Sequence, residues 1–391
     1  MSAYDELSDR QAVLALWYVV NTSLTAHYKL VETFGSAKSA LGEPVVSWQG
    51  VGVHSSHQKR LGDPQDVLAF LAKIDEQVRQ GAYDLLFLGD DDYPDSLTHI
   101  YDPPPVLFYR GTVARLKDKQ LAIVGSRQPT EYAQSITFDL AQYFAHHGYA
   151  VTSGLAGGVD KQAHLGALSV GAGQTVGVLG TGIDVCYPKN HHALYAQIVK
   201  DGGCLVSELL PSTPATKHTF PRRNRLVAGL ACATIVTEAT VQSGSLITAR
   251  LTAEQGKQVF AIPSRIDNPN AEGCHHLIRE GATLIYHPNQ VLDELRQNAL
   301  DFDVLPKTFS RGVSAFDEFY DKNQDKKGDK TDPPPTPEHL SYIMTALGDE
   351  SCDLDKLVAR TQKGAGELLA GLMELEMMGQ VVSVGGRFIK A

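Results

Sequence analysis

Nine consecutive residues, Lys217-His218-Thr219-Phe220-Pro221-Arg222-Arg223-Asn224-Arg225, hold four fixed positive charges, an aromatic ring and no acid. Lysine and arginine neutralise phosphate oxygens, and an aromatic face stacks an unpaired base. The segment therefore carries both ingredients of contact with single-stranded nucleic acid. A basic run is by default a solvated surface. In a chain of net charge −10 it stands out as a surface selected for a polyanion. Asn224 adds a hydrogen-bonding amide. Arg225, beside the apolar run Leu226–Leu230, reads equally well as a partly buried structural arginine. The sequence leaves open which of Arg222, Arg223 and Arg225 reaches the nucleic acid.

Glycines at the ends of apolar runs supply a second kind of chemistry. Leu121–Val124 leads into Gly125-Ser126-Arg127. Ala150–Thr152 leads into Ser153-Gly154-Leu155-Ala156-Gly157-Gly158, with Asp160 and a helix beyond. Glycines let backbone N–H groups approach an anion, and a following helix N-terminus adds a favourable dipole. Such turns read as phosphate cradles. The spacing is not G-x-G-x-x-G, and the richest cluster follows the second strong strand, which argues against NAD. Gln242-Ser243-Gly244-Ser245 opens another helix, where Ser243, Gly244 and Ser245 either bind phosphate or cap. Tyr187 and Pro188, after Gly180-Thr181-Gly182-Ile183-Asp184, read as a structural loop. Glu238 is the one acid worth weighing for catalysis, and it has no general-acid partner nearby in sequence. The pairs His146–His147, His191–His192 and His275–His276 lack metal-ligand spacing and read as surface or loop residues. The five scattered cysteines read as buried or half-buried hydrophobes, with no disulfide framework and no zinc site.

Strands and helices must position these groups. Nine short apolar runs read as strands: Leu85–Leu88, Val106–Tyr109, Leu121–Val124, Ala150–Thr152, Thr175–Leu179, Leu205–Val206, Thr234–Val236, Gln258–Ile262 and Thr283–Ile285. Helical patterns lie between many of them, at Ser135–His146, Lys161–Val170, Ala193–Lys200 and Ser245–Gln255. The alternation predicts an α/β fold with an extended Rossmann-like, doubly wound, mostly parallel sheet over 83–300. Residues 1–82 read as a small helical domain, with helical patterns at Ala12–Val20, Tyr28–Phe34 and Asp66–Gln80 and a loop-rich stretch over Gly42–Pro64. Residues 301–336, charged and ending near Pro333–Pro335, read as a flexible linker. Residues 337–391, with helices expected at Glu338–Leu347, Leu354–Arg360 and Ala365–Met378 and a hairpin at Val381–Ile389, read as a winged helix.

Composition narrows the function classes. No run of 18 or more apolar residues appears, and the first ten residues lack the build of a signal peptide, so the expected location is cytoplasmic. No metal or cofactor is expected.

Taken in order, the segments resemble the DprA/Smf family of DNA-processing proteins of bacterial natural transformation. The resemblance rests on Gly125-Ser126-Arg127, Ser153-Gly154-Leu155-Ala156, Gly180-Thr181-Gly182-Ile183-Asp184 with Tyr187-Pro188, Ser207-Glu208, Phe220-Pro221-Arg222-Arg223-Asn224-Arg225, Glu238-Ala239 with Ser243–Thr248, and Gly281-Ala282. It spans about Leu85 to Ile285, and it implies an N-terminal domain of sterile-alpha-motif-like type and a C-terminal winged helix. The function it implies is not catalytic: binding and protection of single-stranded DNA, loading of the RecA recombinase, and action as a homodimer. By resemblance the DNA pocket falls on Arg127, Lys217 and the stacking ring of Phe220, with Gly154, Gly157, Ser243 and Gly244 along the phosphate path. The wider expected interface adds Gly125, Ser126, Ser153, Arg222, Arg223 and Asn224. The acidic residues Glu367, Glu374 and Glu376 on the presumed recognition helix predict that the winged helix contacts protein, or duplex DNA only weakly. The competing readings are a Rossmann-like nucleotide-processing hydrolase and a transcription factor acting through the winged helix. The Pro-Gly-Gly-x-Gly-Thr-x-x-Glu run of such hydrolases is missing, and a transcription factor leaves the glycine-rich core unexplained.

Overall fold

A computed structural model describes residues 3–301 without a break and most of 338–390. The linker expected at 301–336 lies outside the described residues, apart from Asp301, which ends a helix. Residues 3–301 fall in one compact unit and the described C-terminal residues in a second.

The chain opens with six helices, α1 (Asp9–Val19), α2 (Leu24–Phe34), α3 (Ala37–Gly42), α4 (Val45–Val51), α5 (Ser55–Leu61) and α6 (Pro64–Arg79). The stretch expected to be loop-rich thus contains α4 and α5. Each has seven residues, too short for a helical period to show. The turn between α1 and α2 needs left-handed backbone, which Asn21 (φ 49°) and Thr22 (φ 59°) supply without a glycine. The helices share one apolar cluster with the sheet: Trp17, Leu30 and Trp48 belong with Phe108, Leu155 and Leu205.

Nine strands follow: β1 (Asp84–Phe87), β2 (Val106–Gly111), β3 (Gln120–Val124), β4 (Ala150–Ser153), β5 (Thr175–Val178), β6 (Cys204–Ser207), β7 (Ala233–Val236), β8 (Gln258–Ala261) and β9 (Thr283–Leu284). Their order in the sheet is β1-β2-β6-β5-β4-β3-β7-β8-β9. Pairing is parallel from β6 through β9 and antiparallel where β1 and β2 close the other edge. The central strands are buried residue by residue, as expected where helices cover both faces. The covering helices are α7 (Asp95–Thr98), α8 (Glu131–His146), α9 (Val159–Leu168), α10 (His192–Lys200), α11 (Thr219–Leu230), α12 (Ser245–Glu254), α13 (Glu272–Arg279) and α14 (Pro288–Asp301). From β3 the chain steps one way through β4, β5 and β6, then returns to β7 on the other side. That switch point opens a crevice beyond the carboxyl ends of β3, β4 and β7, where such sheets bind ligands.

The C-terminal unit contains α15 (Ser341–Leu347), β10 (Cys352–Asp353), α16 (Leu354–Thr361), β11 (Val381–Val384) and β12 (Arg387–Lys390). Its strands are antiparallel in the order β10-β12-β11, so a two-residue strand joins the expected hairpin. Parts of the helix expected at 365–378 lie outside the described residues. Glu367, Leu368, Gly371, Leu372 and Leu375 are helical, and the three leucines are buried against Ile343 and Leu357.

One buried ion cluster ties the N-terminal helices to α11. Glu208, 1% exposed, accepts from Arg222 Nε at 2.9 Å and from Arg225 Nη2. Its backbone carbonyl accepts from Trp17 Nε1 at 3.0 Å, and Arg222 Nη1 donates to Thr22 Oγ1 at 3.1 Å. Burial alone would raise the Glu208 carboxyl; Arg222 and Arg225 together outweigh it and hold the group below its ordinary 4.5. Glu208→Gln leaves two arginines without their anion and is expected to destabilise the protein by about 3–5 kcal/mol in urea unfolding at neutral pH. Because the folded pKa is depressed, the stabilisation from Glu208 is complete above the ordinary glutamate value. It is lost as pH falls through the lower folded value, a loss that the Glu208→Gln protein will not show.

Candidate nucleic-acid interface

The crevice is a groove of ≈ 850 Å³ between the strand ends and helices α11 and α12. One wall is the turn after β3, with Gly125, Ser126 and Arg127; the opposite wall is α11 with Phe220 and Asn224, preceded by Lys217; the far end is Gln242-Ser243-Gly244 at the start of α12. The basic run is therefore mostly helical. Pro221 fits because it lies in the first turn of α11, where its missing N–H costs no hydrogen bond.

Helical geometry sorts the arginines. Arg222 and Arg225 are held by Glu208, and Arg225 also donates to the Asp102 carbonyl at 2.9 Å. The phosphate contact expected of Arg222 is corrected: its guanidinium is committed to Glu208 and Thr22, and it does not line the groove. Arg223 does line it, but as its floor, 6% exposed. The cations open to a polyanion are Arg127 and Lys217, both exposed and neither in an ion pair among the described residues. Asn224 Nδ2 donates to the Gly244 carbonyl at 3.3 Å and joins α11 to the start of α12.

The glycine turn after β4 differs from expectation. Asp160, 8% exposed, turns its carboxylate into the cradle and accepts from the N–H groups of Gly154 at 3.1 Å and Ala156 at 3.2 Å. The chain's own carboxylate thus takes two donors expected to face a phosphate. Burial pushes the Asp160 carboxyl up, against the pull of Arg223 and the two amides. Ser153 is also corrected: it is fully buried, its hydroxyl donates to the Ile123 carbonyl at 2.7 Å, and it does not line the groove. Ser243 shares a 2.6 Å hydrogen bond with Ser245, and its Oγ accepts from the Ser245 amide.

Within the groove a smaller hollow of ≈ 70 Å³ is bounded by Arg127, Gly154, Gly157, Gly180, Tyr187, Pro188, Phe220 and Arg223, among others. The Tyr187 and Phe220 rings lie 5.2 Å apart, tilted by 40°, and the Arg127 guanidinium sits 5.6 Å from the Phe220 centroid. A Cβ on Gly180 would come within 2.7 Å of the Phe220 ring, so glycine is what lets the ring lie there. Tyr187 and Pro188, expected to be a structural loop, are part of this site. Their sequence signal was proximity to the Gly180 turn.

Other expected features resolve structurally. Glu238, 2% exposed, accepts from the Thr130 amide at 3.0 Å and its hydroxyl at 2.7 Å, and so anchors the N-cap of α8. His191, expected at the surface or in a loop, is buried with Nδ1 3.0 Å from the Leu155 carbonyl. Cys232, expected to be at least half-buried, is exposed.

The family model described as DNA recombination-mediator protein A matches residues 84–296, and that of the DprA winged helix domain matches 328–387. Protein Smf of Escherichia coli K12 is 35% identical over 313 residues, 80% of this chain and 79% of its own length. The chain belongs to the DprA/Smf family. DprA of Streptococcus pneumoniae R6 is 43% identical over 205 residues, 52% of this chain and 72% of its own. The X-ray structure of Streptococcus pneumoniae DprA superimposes with a TM-score of 0.64 at 33% identity, covering 74% of this chain and 98% of that one. A DNA processing protein A from Helicobacter pylori, described for its unique single-stranded DNA binding mode, gives a TM-score of 0.50 at 30% identity over 56% of this chain and 98% of that one. The groove thus lies in a DprA/Smf core, a family of DNA processing and recombination.

At Gly154 in this DprA/Smf site a Cβ would stand 1.6 Å from Arg223 Nη1, so a side chain there must displace the buried guanidinium. Gly154→Ala is expected to cost about 1–3 kcal/mol by overpacking, read as a lower unfolding midpoint, and to reshape the hollow. An unchanged midpoint would show that Arg223 can leave its place freely.

Proposed function

We propose that this protein binds single-stranded DNA in the groove, protects it, and hands it to the RecA recombinase during natural transformation. The observation that carries the DNA reading is the pairing of two unpaired exposed cations, Arg127 and Lys217, with the Phe220 and Tyr187 rings along one groove. Cations at the rim take the phosphates, and the rings take bases. The Helicobacter pylori relative, with its described single-stranded DNA binding mode, supports the same ligand here. The RecA and transformation roles follow the family resemblance. The protein acts by binding and not by catalysis: the buried acids near the groove, Asp160 and Glu238, are already spent on backbone amides and Thr130. The winged helix is proposed to contact protein. Of its few cations, Lys363 is paired with Glu367 at 2.9 Å.

Fluorescence anisotropy with labelled oligo-dT, its duplex and a salt series tests the reading. Wild type is expected to prefer the single strand and to weaken as salt rises. Lys217→Ala with Phe220→Ala is expected to weaken binding by at least about ten-fold, since base–aromatic stacking alone contributes about 1–3 kcal/mol. Undiminished binding by the double variant would move the site elsewhere, and no binding by wild type would restore the nucleotide hydrolase.

Self-association would line up successive grooves along one strand. The sheet ends at β9, a two-residue edge strand, and exposed apolar side chains lie nearby in sequence: Leu284 on it, Tyr286 just after it, and Ile266 in the loop after β8. A dimer through this edge predicts that Ile266→Glu with Leu284→Glu runs as a monomer in light scattering while wild type runs as a dimer. Equal masses would exclude this edge.

A further inference from the structure

The turn after β4 has the parts of an anion site, and the chain itself fills it. The N–H groups of Gly154 and Ala156 converge on one point, just ahead of α9, a ten-residue helix whose N-terminus favours negative charge. The Arg223 guanidinium packs against the same turn, close enough that a Cβ on Gly154 would meet it at 1.6 Å. Arg223 is 6% exposed, and its buried Nε has no hydrogen-bond partner among the described residues. Two convergent amides, a helix start and a buried cation short of acceptors are the donors that inorganic phosphate or a phosphate monoester requires. The point is taken instead by Asp160 Oδ2, which accepts both N–H groups, at 3.1 and 3.2 Å.

Asp160 is the second residue of α9 and borders the groove, so its side chain stands between the turn and anything that enters. Its oxygen leaves neither amide free, and its carboxylate repels a second anion at the same point. A binding site gains specificity either by better contacts to its own ligand or by an obstacle to the wrong one, and Asp160 is an obstacle. A small phosphate could enter a single cradle, whereas a strand is held by many weaker contacts along an open path. The rim cations Arg127 and Lys217 remain free for the strand. Resting on the single-stranded DNA reading above, we infer that Asp160 is a specificity-determining residue. Its carboxylate holds the phosphate position of the turn and so turns away inorganic phosphate and mononucleotides, which would otherwise compete with the strand in the same groove.

Titration of the full-length protein with inorganic phosphate and with thymidine 5′-monophosphate tests this without DNA. Wild type is expected to show no saturable binding of either at millimolar concentration in calorimetry. Asp160→Ala frees both amides and leaves Arg223 without its neighbouring anion. It is expected to bind both ligands at least about ten-fold more tightly than wild type does, since hydrogen bonds to a charged group are among the stronger ones. Its thermal midpoint, lowered by the uncompensated guanidinium, is expected to rise saturably with phosphate, beyond the general salt effect that wild type shows in the same series. Thymidine 5′-monophosphate is then expected to displace labelled oligo-dT from Asp160→Ala and not from wild type. Saturable binding of either small ligand by wild type overturns the inference whatever the variant does. So does an Asp160→Ala protein that phosphate neither binds nor stabilises. Failure of wild type to bind oligo-dT overturns the DNA reading instead, and the phosphate titrations are unaffected by it.

Discussion

A carboxylate taken out of water stays ionised where cations or hydrogen-bond donors offset its lost hydration, and Glu208 meets that condition through Arg222 and Arg225. These arginines are three residues apart on α11, so satisfying one acid fixes the rotation of the whole helix about its axis. With that rotation fixed, Arg223 must project to the floor of the groove, and Phe220 and Asn224 must line its wall. Trp17 and Thr22 close the same cluster from the N-terminal helices, which makes those helices part of the brace behind the groove. The far end of α11 is fixed as well: Lys257 donates to the carbonyls of Ala228 and Gly229 at 2.9 and 2.8 Å.

The second organising choice is the use of Asp160 to fill the glycine cradle. In nucleotide-binding sheets of this design the helix N-terminus after a glycine turn receives a phosphate. Here an internal carboxylate occupies two of the amides, so in the proposed function phosphate falls to the exposed cations at the rim. This suits a polymer better than a mononucleotide. A strand needs a path open at both ends, and a cradle closed around one phosphate would stop it from running on.

Much of this was legible in the sequence, for physical reasons. The five central strands, β3 to β7, appear as short apolar runs because burial on both faces leaves no alternation to disguise them. Arg127, Lys217 and Phe220 stood out through charge and aromaticity in an acidic chain. The short helices α4 and α5 escaped because seven residues do not reveal a period. Arg222 was assigned to DNA because its partners lie elsewhere in the chain: Glu208 fourteen positions away and Thr22 two hundred. Asp160 was visible as a residue, but whether its side chain turns into the cradle or out of it is decided by geometry that spacing does not encode. Tyr187 is not legible for the same reason, since its ring partner Phe220 arrives from beyond β6.

The contact between Gly154 and Arg223 has a consequence for substitution. The two positions belong to different elements of the fold, a strand-end turn and a helix 69 positions further along, yet a β-carbon on one would occupy the place of the other's guanidinium. A side chain gained at the turn must push the guanidinium aside, and a shortened arginine removes the floor of the hollow. A change at either position is therefore felt at the other, and the two are expected to be non-additive.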